Sequence, residues 1–160
     1  RKIPHTKTKM PLQPIPIKGP FQRIGLDIVG ALCITHSGNK YILVITEYFT
    51  KFVEAFALPD QTADRIANIF VEQIICRYGA PQHILTDQGS NFMSEVFRKV
   101  NAIFDIKMDR TTAYHPQTNG LTERNNKTLI NMLSCYINRS QRDWDVYLPY
   151  ILFAYRASPQ

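Results

Sequence analysis

Three β-rich apolar runs follow one another between Phe21 and Leu58 with only turns between them, and this constrains the fold more than any other feature. "FQRIGLDIVGALCI" is apolar and partly β-branched, as a buried strand is. "NKYILVITEYF" is a second strand, entered by a turn at Ser37-Gly38-Asn39. "KFVEAFALP" is a third, paired antiparallel with the second. Connections this short leave only a meander. The pattern then changes period. Apolar residues at Ala63, Ile66, Ala67, Phe70, Ile74 and Tyr78 form a helical stripe. Thr62 stands where a cap belongs, and Gly79 and Pro81 stop the helix. "HILTD" is a short central strand, and Phe92, Val96, Phe97, Val100, Ile103 and Phe104 mark the next helix. Asn91 is a candidate cap for it, and "IKMD" is a short edge strand. A polar loop through residue 121 leads to a helix opening at Glu123, with Leu129, Met132, Leu133, Tyr136 and Ile137 on its apolar face. A last helix carries Trp144, Leu148, Ile151, Leu152 and Tyr155, with a kink expected near Pro149. The order β-β-β-α-β-α-β-α-α predicts an α/β fold, a mixed sheet with helices on its faces.

Charge divides the chain unevenly. Residues 1–20 are basic and contain five prolines, which predicts an extended linker ahead of a domain at 21–160. The net charge of +6 comes wholly from residues 1–23, because residues 24–160 hold 13 basic and 13 acidic side chains. A second bias lies between Arg110 and Arg142, where five basic residues face one acid, Glu123. Local basic surface suits a polyanion, and solvated helix faces give the same pattern. No apolar run is long enough to span a membrane, so no membrane partner is expected. Cys33, Cys76 and Cys135 form no CxxC pair, which predicts a reducing compartment, no structural zinc and three buried thiols.

Three carboxylates stand out. Asp27 is flanked by Leu26 and Ile28 inside a strand, where a lone charge is costly unless paired. Asp87 sits where a strand breaks into the turn "DQGSN", the end of a strand at which α/β sheets form ligand sites. Glu123 opens a helix on one face with Asn126, Lys127 and Ile130. Each has a plain structural use: Asp27 on a buried arginine, Asp87 as a helix cap, Glu123 on a helix dipole. If they converge, they repel and require divalent cations with a preference for oxygen.

The text around these acids resembles the integrases of retroviruses and of the Ty3/gypsy retrotransposons. Fifty-nine residues separate Asp27 from Asp87, and 35 separate Asp87 from Glu123, like the D,D-35-E signature of that family. "GNKYILVITEYFTKFVEAFAL", "ILTDQGSNFMSEVF", "TTAYHPQTNGLTERNNKTL" and "RDWDVYLPYILFAYRAS" resemble its corresponding stretches in order. Ala31 departs from the family pattern, where proline is common, and no acid is lost.

The resemblance implies an RNase H-like catalytic core with a five-stranded mixed sheet. It implies a DDE polynucleotidyl transferase acting in the nucleus. That enzyme processes the 3′ ends of element DNA and transfers them into target DNA by in-line phosphodiester attack. It implies Asp27, Asp87 and Glu123 as catalytic residues and ligands of two Mg²⁺ or Mn²⁺ ions. It places Tyr114, His115, Gln117, Asn119, Asn126 and Lys127 beside DNA. It implies a homo-oligomer, and a core from a polyprotein that also carries a zinc-binding module and a C-terminal DNA-binding region. A transposase or nuclease of the same fold, and a non-catalytic nucleic-acid-binding module, are the alternative readings.

Overall fold

The run Ile42–Ile45 is buried along its whole length, and its alternation divides the molecule into two cores. Leu43 and Ile45 enter one cluster, and Ile42 and Val44 the other. A strand covered on both faces must be apolar at every position, which is how "YILVIT" reads. The computed structural model describes residues 17–87, 89–110, 116–137 and 142–158. Its strands are β1 (Arg23–Gly30), β2 (Tyr41–Glu47), β3 (Val53–Leu58), β4 (His83–Thr86) and β5 (Lys107–Arg110). They form one sheet in the order β3-β2-β1-β4-β5. The β1–β2 and β2–β3 pairs are antiparallel, and β1–β4 and β4–β5 are parallel. The mixed five-stranded sheet and the edge position of β5 agree with the sequence reading.

On one face lies a helical rod made of α1 (Ala63–Ile69), a π-helical segment (Phe70–Ile75) and α2 (Cys76–Tyr78). Ile66, Phe70 and Ile74 point into the sheet, and Gly79 ends the rod at a φ of 91° that L side chains resist. Thr62 is the N-cap residue of α1, its carbonyl accepting the Ile66 N–H at 3.1 Å, but its side chain makes no capping bond. Its hydroxyl donates instead to Asp60 at 2.7 Å. The same face carries α3 (Glu95–Ile103). Its cap is Ser94, which accepts the Phe97 N–H at 3.2 Å, so the expected cap at Asn91 is corrected by three positions. Phe92 and Phe97 are buried, but Val96, Ile103 and Phe104 are exposed. The apolar stripe in the sequence is therefore wider than the face the sheet takes.

The opposite face carries α4 (Pro116–Ile137) and α5 (Trp144–Ala157). On α4 the described side chains are those of residues 124 and 126–135. This helix starts seven positions before Glu123, inside the stretch expected to be loop. Proline at the first helical position has no intrahelical bond to lose and a φ already set for a helix, so "PQTNG" continues into the helix and does not precede it. Glu123 thus falls in the third turn, not the first. Helix α5 runs through Pro149 as one element, and Trp144, Leu148 and Ile151 bury against β2 and β3.

The segment joining β1 to β2 is tied to the start of α5. The Trp144 indole donates to the Cys33 carbonyl at 2.7 Å, and Thr35 and Asn39 each donate to Asp145 at 2.8 Å. All three cysteines are exposed, against the expectation of buried thiols. Cys76 shows why: it follows the buried pair Ile74–Ile75 on the rod and falls on its outer side. Among the described residues no helix is long and apolar enough to cross a membrane.

Candidate active site

Strand alternation decides where Asp27 goes. Ile24, Leu26 and Ile28 face the α1 side, so Asp27 and Val29 face α4 and α5. Asp27 pairs across the sheet with Val44 and is half-buried. Its Oδ1 accepts the Ile28 N–H at 2.9 Å, and its Oδ2 accepts a hydrogen bond from the Asn126 side-chain amide. Among the described contacts the carboxylate thus meets a backbone N–H and an amide from α4. The Asn126 Oδ1, on the same amide, is buried with no hydrogen-bond partner.

Asp87 is placed by the neighbouring strand. Leu26 pairs with Thr86 in the parallel β1–β4 register, so Asp27 and Asp87 each stand one residue beyond that pair on adjacent strands. Both chains run the same way, and the two carboxylates therefore emerge at the same end of the sheet. Asp87 is exposed, and its Oδ1 accepts the Gly89 N–H at 2.9 Å. It does not cap α3. A Cβ at position 89 would lie 2.9 Å from the same Oδ1, so glycine is what leaves room for this carboxylate. Gly89 was not picked out as a site residue from sequence. The signal was present in "DQG", where an Asp side chain bonds the backbone two residues on.

Asn126 fixes α4 over β1, and Glu123 lies one turn before it on the same helix. The Glu123 side chain is outside the described residues. So are Tyr114 and His115, and the side chains of Gln117 and Asn119, which occupy the first turns of α4. Among the described residues no three His, Cys, Asp or Glu side chains come together. Of the expected DNA contacts, Lys127 is exposed, as is Arg124. Asn126 is turned inward to Asp27, so its first task is to hold that carboxylate.

The donors at hand are carboxylate and amide oxygens. Such a set suits a hard cation such as Mg²⁺ or Mn²⁺ and not zinc, which takes nitrogen and sulfur. The unpartnered Asn126 Oδ1 and the exposed Asp87 leave acceptor capacity at this end of the sheet, so the residues present fit a divalent ion.

Residues 18–116 match the family model described as the integrase core domain. The chain belongs to the integrase core family. This integrase core is 30% identical over 138 residues to the Retrovirus-related Pol polyprotein from transposon 412 of Drosophila melanogaster, covering 86% of this chain and 11% of that protein. It is 36% identical over 123 residues to the Pol polyprotein of Radiation murine leukemia virus, covering 76% of this chain and 21% of that protein. The chain thus spans a small part of these relatives. Among solved structures it resembles the catalytic core domain of BIV integrase, with a TM-score of 0.70 at 23% identity over 88% of this chain and 86% of that one. It also resembles the HTLV-2 integrase catalytic core in complex with magnesium, with a TM-score of 0.66 at 23% identity over 84% of each chain. The integrase core has the RNase H-like fold that the sequence reading expected.

Proposed function

We propose that the integrase core is a DDE polynucleotidyl transferase that processes the 3′ ends of element DNA and joins them to target DNA. The observation that carries this reading is the parallel β1–β4 register, which sets Asp27 and Asp87 side by side with α4 held over Asp27 by Asn126. Asp27, Asp87 and Glu123 would hold two Mg²⁺ or Mn²⁺ ions. When bound, such ions supply Lewis-acid stabilisation of the charge that develops on the attacking and leaving oxygens at phosphorus. The chain's own residues orient and bind. Asn126 holds the Asp27 carboxylate in one rotamer. The Gly89 N–H fixes Asp87, at the mouth of the sheet.

Lys127 and Arg124, both exposed on α4 near Glu123, would meet DNA phosphates. Tyr114, His115, Gln117 and Asn119 are proposed as further DNA contacts. The nearby magnesium-bound core of HTLV-2 integrase supports the choice of metal, and its dimeric and trimeric forms support a homo-oligomer. The similar chain in a simian T-cell lymphotropic virus intasome supports element-end DNA as the partner. The proposed place of action is the nucleus, as part of a longer integrase with flanking modules beside residues 21–160.

The test is Glu123→Gln in the integrase with its flanking regions, assayed for Mn²⁺-dependent nicking and joining of labelled oligonucleotides. Both activities should vanish while DNA affinity and the circular dichroism spectrum persist. Activity at the level of the unsubstituted protein would refute the assignment.

A further inference from the structure

The end of the α1 rod, the β2–β3 turn and the end of α5 enclose an open groove of about 310 Å³. Its walls are the rings of Phe21, Phe52, Tyr78 and Tyr155. Phe21 stacks on Tyr78 with ring centres 4.4 Å apart, and Phe52 meets Tyr78 edge-on at 6.0 Å. Two backbone positions here, Phe21 at φ 56° and Lys51 at φ 67°, lie in the left-handed region that non-glycine residues avoid. Strain of that kind persists where the surroundings hold it, often at binding clamps.

The charged groups around the groove are already engaged. The Arg156 guanidinium lies over the Phe52 ring, donates to the Val53 carbonyl and pairs with the buried Glu54 at 2.8 Å. The Tyr78 hydroxyl turns to the same Glu54 at 3.1 Å, and the Lys51 ammonium donates to the Tyr48 carbonyl at 2.9 Å. Among the described residues the groove therefore offers ring faces, with its charged side chains turned to partners in the protein, and it suits an uncharged occupant.

One stretch of this chain answers that description. Residues 10–16, "MPLQPIP", carry no charge, although Lys7, Lys9 and Lys18 flank them closely. Three of the seven are proline, and "PLQP" has the PxxP spacing. Proline-rich segments of this type adopt the extended three-residue-per-turn helix and dock on aromatic-lined grooves at little entropic cost. The described chain begins at residue 17, four positions before Phe21, which is itself a wall of the groove. The chain turns at Gly19–Gln22, where the Lys18 N–H donates to the Gln22 side chain at 3.0 Å.

We propose that residues 10–16 dock in this aromatic groove of the same chain, so that the segment ahead of the core leaves it in a set direction. The docking surface is independent of the carboxylate site. The test is solution NMR on the full 160-residue chain with Leu and Ile methyls labelled. Docking predicts contacts from the Leu12 and Ile15 methyls to the Phe52 and Tyr78 rings, with both methyls shifted upfield by ring currents. Phe52→Leu should return them to random-coil positions. Leu12→Asp, which leaves the core untouched, should abolish the ring contacts of the remaining tail methyl. Random-coil shifts for Leu12 and Ile15 in the unsubstituted chain would overturn the proposal. So would ring contacts seen only between chains in a mixture of labelled and unlabelled protein, which would give the groove to a second copy.

Discussion

Replacing Asn126 by Asp tests the arrangement around Asp27 most directly. The substitution keeps the size of the side chain and exchanges a donor on Asp27 Oδ2 for a second carboxylate. A hydrogen bond to a charged group contributes about 1.5–3 kcal/mol, and that contribution is lost. Two carboxylates about 4 Å apart also repel by roughly 4 kcal/mol at the effective dielectric of a protein surface. The pair escapes most of this by sharing a proton, which raises its apparent pKa. The variant should therefore be less stable than the unsubstituted protein by about 3 kcal/mol at pH 7. The direction with pH follows from linkage. A folded pKa above the unfolded value of about 4 gives stability that is complete below pH 4 and lost as pH rises through the folded pKa. The variant should thus regain most of its deficit between pH 7 and pH 4. Urea unfolding followed by circular dichroism at several pH values measures it. A deficit that does not change with pH would refute the contact between Asn126 and Asp27.

Gly89→Ala should push the Asp87 carboxylate from its place, since the added Cβ would meet Oδ1 at 2.9 Å; Mn²⁺-dependent nicking should fall at least about tenfold, the effect of about 1.4 kcal/mol on a barrier, with an unchanged urea midpoint. Trp144→Phe removes the bond to the Cys33 carbonyl and leaves a gap beneath a fully buried ring. Its cost should be about 2 kcal/mol, half from the hydrogen bond and half from roughly 40 Å³ of lost volume, read from the urea midpoint. Burial opposes ionisation of Asp145, but bonds from Asn39, Thr35 and the Val146 N–H outweigh it and hold the carboxyl below its ordinary value. That stability is present above pH 4 and lost as pH falls through the folded pKa. Asp145→Asn should flatten the stability profile below pH 4 in the same unfolding assay.

The sheet was legible because its signals are local. The run "YILVIT" has to be covered on both sides, and the turns around Gly38 and Thr50 permit only a meander. Asp27 could be placed inside a strand and Asp87 at the end of one for the same reason. The start of α4 was not legible, because Pro116 serves equally as a loop residue and as the first residue of a helix, and only tertiary packing decides. The inward turn of Asn126 depends on how far α4 sits over β1, a distance that no spacing along the chain encodes. The three cysteines were misjudged because thiols are buried on average, while their positions here follow from the phase of each element.

The two-sided burial of β2 has a consequence for errors in assembly. Side chains on a strand alternate with a period of two, so a slip of β1 by one residue against β2 would exchange Leu26 and Asp27 between the two cores. A carboxylate would then enter the apolar layer under α1, and Leu26 would face Asn126. Such a chain would not be a folded but inactive isomer; it would fail to fold. Residues such as Leu43 and Ile45, which lie in the core on the opposite face of the sheet from Asp27, thereby inspect the alignment of that acid. A population of this protein that has folded at all has Asp27 in phase.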